Sequence, residues 1–165
     1  MELTKVAFGG GCYWCTEAVF QSLIGVEKVA QGFISSEGKN DSFSEAVIVY
    51  FNKKARLKTL IEIHLHTHKS TKEHSMRAKY RSAIYYFTKE QKEKSTQILT
   101  TLQVGFKEEI ITQVLPLKKF KPSIEASQNY YIKNVEKPFC QKYINPKLDL
   151  IVRKFSSHIN PRNMP

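Results

Sequence analysis

The chain has 165 residues, 41% apolar and 12% aromatic, enough to bury roughly 70% of its unfolded surface in one core, so disorder and a disulfide-stapled mini-protein are excluded. Its 26 Lys and Arg exceed its 15 Asp and Glu to give a net charge of +11, but the basic residues are spread along the chain, which predicts a solvated basic surface and no specific nucleic-acid partner. No apolar run reaches the roughly 20 residues of a membrane helix and the N-terminus lacks a signal-peptide layout, so a cytoplasmic protein without a membrane partner is expected.

In chain order, "TKVAFG" reads as a short strand, and the glycine-rich turn behind it leads into "YWCTEAVFQSL", whose apolar residues Trp14, Ala18 and Leu23 recur at helical spacing. "VEKVAQGFIS" alternates as a half-buried strand, a Gly/Ser/Asn/Asp loop covers 35–42, and "EAVIVYF" is a second strong strand. "LKTLIEIHL" predicts a helix running into a histidine-rich loop. "SAIYYF" is a strand, "TKEQKEKSTQILTTLQ" a helix capped by Thr88, and "IITQVLPL" another strand. The tail, 120–165, holds a short helix around "EASQNYYIK", a loop carrying Cys140, and a last helix with Asn145 as cap and Pro146 at its first position. Strands and helices alternate with no long linker or repeat. The expected fold is therefore α+β over 1–165, a mixed or antiparallel sheet packed with helices in a ferredoxin-like two-layer core with an extended tail, and a monomer.

Chemistry concentrates at "AFGGGCYWCTEAVFQ". Cys12 falls at a strand-to-helix corner, where unpaired backbone N–H groups and the positive end of the helix dipole stabilise a thiolate. A thiol with the ordinary pKa near 8.5 is about 3% ionised at pH 7, and lowering it by roughly 1.5 units makes about half of it nucleophilic. The three glycines allow a tight turn and close approach of a substrate. The cysteine count, three, at positions 12, 15 and 140, argues against a disulfide framework and leaves a sulfur free to react. Two alternatives remain open. "HLHTHKSTKEH" offers His64, His66, His68 and His74 to a metal, the first three on one face if the chain is extended, but Lys69 and Lys72 would repel a cation. The Cys-x-x-Cys could also be the redox pair of a thioredoxin-like disulfide oxidoreductase.

"GGGCYWCTEAVFQ" resembles the Gly-Cys-Phe-Trp signature of the type A peptide methionine sulfoxide reductase family, with Tyr13 for the usual phenylalanine. "SEAVIVYF" is similar to its Ala-Glu-Ala-Val strand, "HLHTHKSTKEHSMRAKYRSAIYY" to its segment ending in Tyr-Arg-Ser-Ala-Ile, and "EKPFCQKY" to its tail cysteine. Four segments in order cover roughly 5–145. The resemblance implies that Cys12 attacks the sulfur of methionine S-sulfoxide, free or in proteins. Tyr13 and Trp14 would form the methyl pocket, Glu45 would protonate the oxygen, and Tyr80 would add a hydrogen bond. A carboxyl enclosed by aromatic rings has its pKa raised, as a proton donor at pH 7 requires. The resulting sulfenic acid condenses with a second thiol, for which Cys140 is favoured and Cys15 remains open, because it lies about 300° around the helix from Cys12. Thioredoxin, or dithiothreitol in its place, would be the reductant, with no metal or other cofactor.

The chain also departs from the pattern. The loop before "SEAV" is short and lacks the second tyrosine, leaving Phe43 nearest, and Ser75 stands where the family has an acid. Tyr130 and Tyr131 are adjacent on a helix, so at most one lines the site, and Glu125 is a candidate for support behind it.

Overall fold

In the computed structural model, which describes residues 2–160, alternation of side chains builds the sheet from the middle outward. Strand β1 (Thr4–Gly9) sends Val6 and Phe8 to one face and Ala7 to the other, all fully buried. It lies between β3 (Ser44–Phe51) and β4 (Ala83–Tyr86), antiparallel to both, in registers that set Phe8 opposite Val47 and Ala7 opposite Tyr85. Strand β2 (Val26–Ser35) pairs antiparallel with β3 and puts Phe33 opposite Glu45. At the edges, β5 (Gln113–Pro116) runs parallel to β4, and β6 (Lys119–Pro122) antiparallel to β2. The order is β5-β4-β1-β3-β2-β6, so the sheet is mixed.

Helix α1 (Tyr13–Gln21) connects β1 to β2, and α2 (Leu57–Thr67) connects β3 to β4. These six elements and the central order β4-β1-β3-β2 make the expected ferredoxin-like core. The main core lies between the helices and one sheet face, where Phe8, Val47, Val49 and Ile84 meet Ala18, Phe20, Leu60 and Ile63. A smaller cluster of Ala7, Ile34, Ile48 and Tyr85 occupies the opposite face. Helix α3 (Lys89–Leu102) opens as predicted, the Gln91 N–H donating to Thr88 Oγ1 at 3.1 Å.

Most of the departures fall in the second half. The strand expected over 110–117 shortens to β5, and β6 has no counterpart among the expected elements, because "KFKP" is too short to display a period and carries no β-branched residue. Its Pro122 is tolerated because β6 is an edge strand. The histidine-rich loop begins later than expected: His64 and His66 belong to α2 and His68 ends it. Around "YYIK" a short helix α4 (Tyr130–Lys133) forms. Cys140 is not in a loop; it opens a π-helical turn (Cys140–Ile144) that runs directly into helix α5 (Asn145–Phe155). Asn145 is consequently no cap. Its side chain instead accepts a bond from the Tyr131 hydroxyl at 2.6 Å.

Candidate active site

Strand β1 ends where α1 begins, so Cys12 stands at the mouth of the helix. Its carbonyl accepts the Cys15 and Thr16 N–H groups at 3.0 and 3.2 Å, and its side chain is half-buried. The turn before it is held from behind. A Cβ on Gly10 would lie 2.4 Å from the His68 ring, and that ring is itself pinned to the His64 carbonyl and to Ser82 Oγ, so only glycine fits. His64 in turn bonds the Gly9 carbonyl at 2.9 Å and stacks on His68 at 4.1 Å. Burial drives both imidazoles toward the neutral form, His68 down to about 3. The helical spacing of His64 and His66 breaks the shared face that a metal set would need, and among the described residues no three His, Cys, Asp or Glu side chains gather as ligands.

The Cys12 thiol is held below the ordinary range, first by a hydrogen bond from the Cys15 thiol and then by the backbone N–H groups of Trp14 and Cys15; burial and the Glu45 carboxylate oppose this. Sequence reasoning named the backbone donors but not Cys15, the largest cause. Cys15 is pushed up correspondingly, by that bond and then by burial. Lys147 of α5 brings a partly desolvated ammonium that favours ionisation of both thiols and donates to the Thr67 carbonyl. Cys140 is fully buried, and burial raises its thiol; its charge bears on Cys15.

Across from Cys12, Glu45 at the start of β3 is 6% exposed. Its Oε1 accepts the Tyr13 N–H at 3.0 Å, and Lys79 Nζ lies 3.7 Å from Oε2. Burial lifts this carboxyl above its usual range against the pull of Tyr13 N–H and Lys79. Tyr80 joins through Lys79, whose ammonium hydrogen-bonds it and sits 5.1 Å from its ring centre. The loop bearing both residues is fastened to the site, since Glu45 N–H donates to the Lys79 carbonyl and Arg77 bridges the Gly10 and Tyr80 carbonyls.

Aromatic rings form the remaining walls. Tyr13 packs edge-on to Phe33 at 5.4 Å, and Trp14 lies flat on Tyr130 at 3.8 Å and 7°, with Phe139 edge-on to Trp14 at 5.2 Å. Of the tyrosine pair, Tyr130 faces Trp14, whereas Tyr131 is buried and bonded to Asn145. Phe43 is 46% exposed, and the ring packed against Tyr13 is Phe33 in its stead. The signal for Phe33 is the β2–β3 register, which sets it opposite Glu45, and register is invisible to a single-segment reading. Glu125 is exposed; the acid that meets the tail is Glu17.

A thiol held below its ordinary range, a carboxyl held above its own and an aromatic wall suit nucleophilic attack on a small electrophile whose leaving or bridging oxygen must take up a proton. A family model described as peptide methionine sulfoxide reductase matches residues 4–159. The peptide methionine sulfoxide reductase MsrA of Trichodesmium erythraeum is 31% identical, covering 96% of this chain and 99% of its own. In structure, reduced Mxr1 of Saccharomyces cerevisiae is similar with a TM-score of 0.74 and 21% identity, covering 86% of this chain and 91% of that one. Mxr1 in complex with Trx2 is similar at 0.63 and 20% identity over 78% and 85%. At these identities the two structures speak for the fold. Among the described residues, no helix is long and apolar enough to cross a membrane.

Proposed function

The chain belongs to the peptide methionine sulfoxide reductase family, and from that premise we propose that Cys12 is its nucleophile, Glu45 its proton donor and Cys15 its first resolving thiol. The enzyme is an oxidoreductase that reduces methionine sulfoxide by thiol chemistry. The observation that carries the assignment is the pairing at the head of α1: a thiol held low by its neighbour, beside a carboxyl held high by burial and fixed to the Tyr13 N–H.

The substrate methyl rests against Tyr13, Phe33 and Trp14, which directs the sulfoxide sulfur to Cys12 and its oxygen to Glu45, with Tyr80 and Lys79 alongside. The Cys12 thiolate attacks sulfur as Glu45 gives its proton to the oxygen. Oxygen passes to Cys12 as the S–O bond to the substrate breaks, methionine leaves as the thioether, and Cys12 remains a sulfenic acid. Cys15 then attacks that sulfur, forming the Cys12–Cys15 disulfide and releasing water. Two thiols are oxidised for each sulfoxide reduced, so the cycle balances with a dithiol as the reductant and no other cofactor. Cys15 is favoured over Cys140 because it stands in the first turn of the same helix, its N–H on the Cys12 carbonyl at 3.0 Å, and it is the largest cause lowering the Cys12 thiol, whereas the charge of Cys140 bears on Cys15. The reductant is a thioredoxin; the Mxr1–Trx2 complex of a fold relative supports this. The preferred epimer is S at sulfur, and the odd number of cysteines, all free thiols, suits a reducing cytoplasm and a monomer needing no cross-link.

Chiral methionine sulfoxides with dithiothreitol, then with thioredoxin, test this reading. Only the S epimer is expected to turn over, and Cys12→Ser to abolish it. Cys15→Ser is expected to release one equivalent of methionine, trap a dimedone-reactive sulfenic acid and stall with thioredoxin. Normal thioredoxin cycling by Cys15→Ser with a stall in Cys140→Ser would transfer the resolving role to Cys140.

A further inference from the structure

Glu17 lies in the middle of α1, 1% exposed, and the reaction above makes no use of it. A carboxyl that deep is costly to leave unsatisfied, and among the described residues no Lys or Arg comes within ion-pair distance of it. Its partners are instead three N–H donors. Oε2 accepts the Asn129 N–H at 3.0 Å, while Oε1 accepts the Tyr130 N–H at 3.2 Å and Gln31 Nε2 at 3.0 Å. Asn129 has the left-handed backbone, φ 56° and ψ 34°, which turns two successive N–H groups toward one anion. Asn tolerates that conformation better than other non-glycine residues, and Gln21 Nε2 holds the Asn129 side chain at 2.8 Å.

The same centre ties down the chain leading to Asn129. Gln31, also 1% exposed, bonds the Ser127 carbonyl at 3.0 Å and accepts Ser123 Oγ at 2.8 Å. The segment so held otherwise presents itself to solvent, with Ile124 73% and Ile132 60% exposed. Tyr131 is its buried apolar anchor, and one anchor does not set the rotation of the turn about it. The bonds to Glu17 supply that, and the next ring along, Tyr130, lands flat on Trp14.

We infer that Glu17 is a positioning residue for this site: through the Asn129 and Tyr130 N–H groups it locks the returning tail so that Tyr130 backs the Trp14 wall of the substrate pocket. This rests on the reading of Trp14 as that wall. Glu17 touches neither substrate nor thiol. Its effect passes to substrate binding through Tyr130, and not to the ionisation of Cys12.

Trp14 is the sole tryptophan in the chain, so its fluorescence reports the stack without reference to activity. Glu17→Gln sets an amide N–H₂ against donors and is expected to raise acrylamide quenching of Trp14 about two-fold or more. A stack of this kind is worth roughly two- to twelve-fold in binding, so KM for a methionine sulfoxide peptide should rise within that range while kcat holds within about two-fold. The pH profile of Cys12 alkylation should stay in place. Tyr130→Ala should show the same losses, and Glu17→Gln should add nothing to KM in that background, as two residues acting through one contact require. Wild-type quenching in Glu17→Gln, a shifted alkylation profile, or a full KM penalty on top of Tyr130→Ala overturns the inference. If Glu17→Gln does not fold, amide exchange in the wild-type protein decides: the Asn129 and Tyr130 amides should be protected about 100-fold or more against an unstructured peptide, and rates near those of free amides overturn it. Quenching and exchange are read whether or not the protein reduces sulfoxides, so failure of the reductase reading shows separately as an inactive wild-type enzyme.

Discussion

Two carboxyls flank the same helix and meet opposite ends of its business. Glu45, beside the first turn of α1, accepts one backbone N–H and has an ammonium 3.7 Å from its other oxygen, on a lysine whose side chain is 55% exposed. Glu17, in the middle of the helix, accepts three N–H donors on its two oxygens. Burial is the first cause raising both. The contrast teaches that burial by itself does not make a proton donor. A carboxyl also needs a route for the proton, which Glu45 has beside the head of the helix, whereas Glu17 is 1% exposed and gives three acceptor sites to holding chain.

The sharpest way to break this contrast is Glu45→Gln. Loss of a general acid costs about 10²- to 10⁴-fold, so kcat/KM should fall in that range. The wild-type profile should be a bell, rising as Cys12 ionises below the ordinary thiol range and falling as Glu45, held above the ordinary carboxyl range, loses its proton. In Glu45→Gln the alkaline limb should vanish while the acid limb stays. A profile that keeps both limbs assigns the acid elsewhere.

Stability against pH separates the groups next. Between the ordinary carboxyl pKa and the raised native one, the folded state holds a proton that the unfolded chain has released, so stability from Glu17 and Glu45 is present at low pH and lost as pH rises through the native values. The imidazoles act in the reverse sense. His68, down to about 3 when folded, costs stability as pH falls below about 6.5, and by pH 5 that amounts to roughly 2 kcal/mol. Urea unfolding from pH 5 to 8 should therefore show acid weakening that flattens in His68→Asn and an alkaline decline that flattens in Glu17→Gln.

A smaller effect is expected of Lys79→Met. Lys79 draws the Glu45 carboxyl downward, so its removal should move the alkaline limb of the rate profile to higher pH, with kcat/KM changed by only a few-fold, as is usual for an exposed ion pair. Movement to lower pH would mean that Lys79 and Glu45 do not communicate. Smallest of all is Tyr13→Phe. The Tyr13 hydroxyl bonds Ser127 at the edge of the site, and its loss should change kcat/KM about two-fold at most, since a single exposed hydrogen bond is worth little net. A ten-fold loss would promote that hydroxyl to a contact with the sulfoxide oxygen.

What was legible beforehand was local. The glycine turn, the cysteine at the helix mouth, the two rings behind it and the four central strands each follow from residues adjacent in the chain, through period, capping and turn chemistry. Glu45 and Tyr80 were legible only through the resemblance of their segments, because the alternation of β3 says which residues share a face and not what they oppose. "EKPFCQKY" has no amphipathic period of its own and so predicts a loop at Cys140, yet the chain there winds helically under the pull of Ile144 and Leu148 into the core.

The sequence by itself therefore determined the chemistry this protein carries and the corner of the fold that presents it, since a thiolate at a helix N-terminus is built from consecutive residues. Only the tertiary structure decided which phenylalanine closes the pocket and why Glu17 is buried. Those answers depend on strand register and on the return of a tail more than a hundred residues away, and contacts at that separation are selected by the packing of the whole core, which no local pattern encodes.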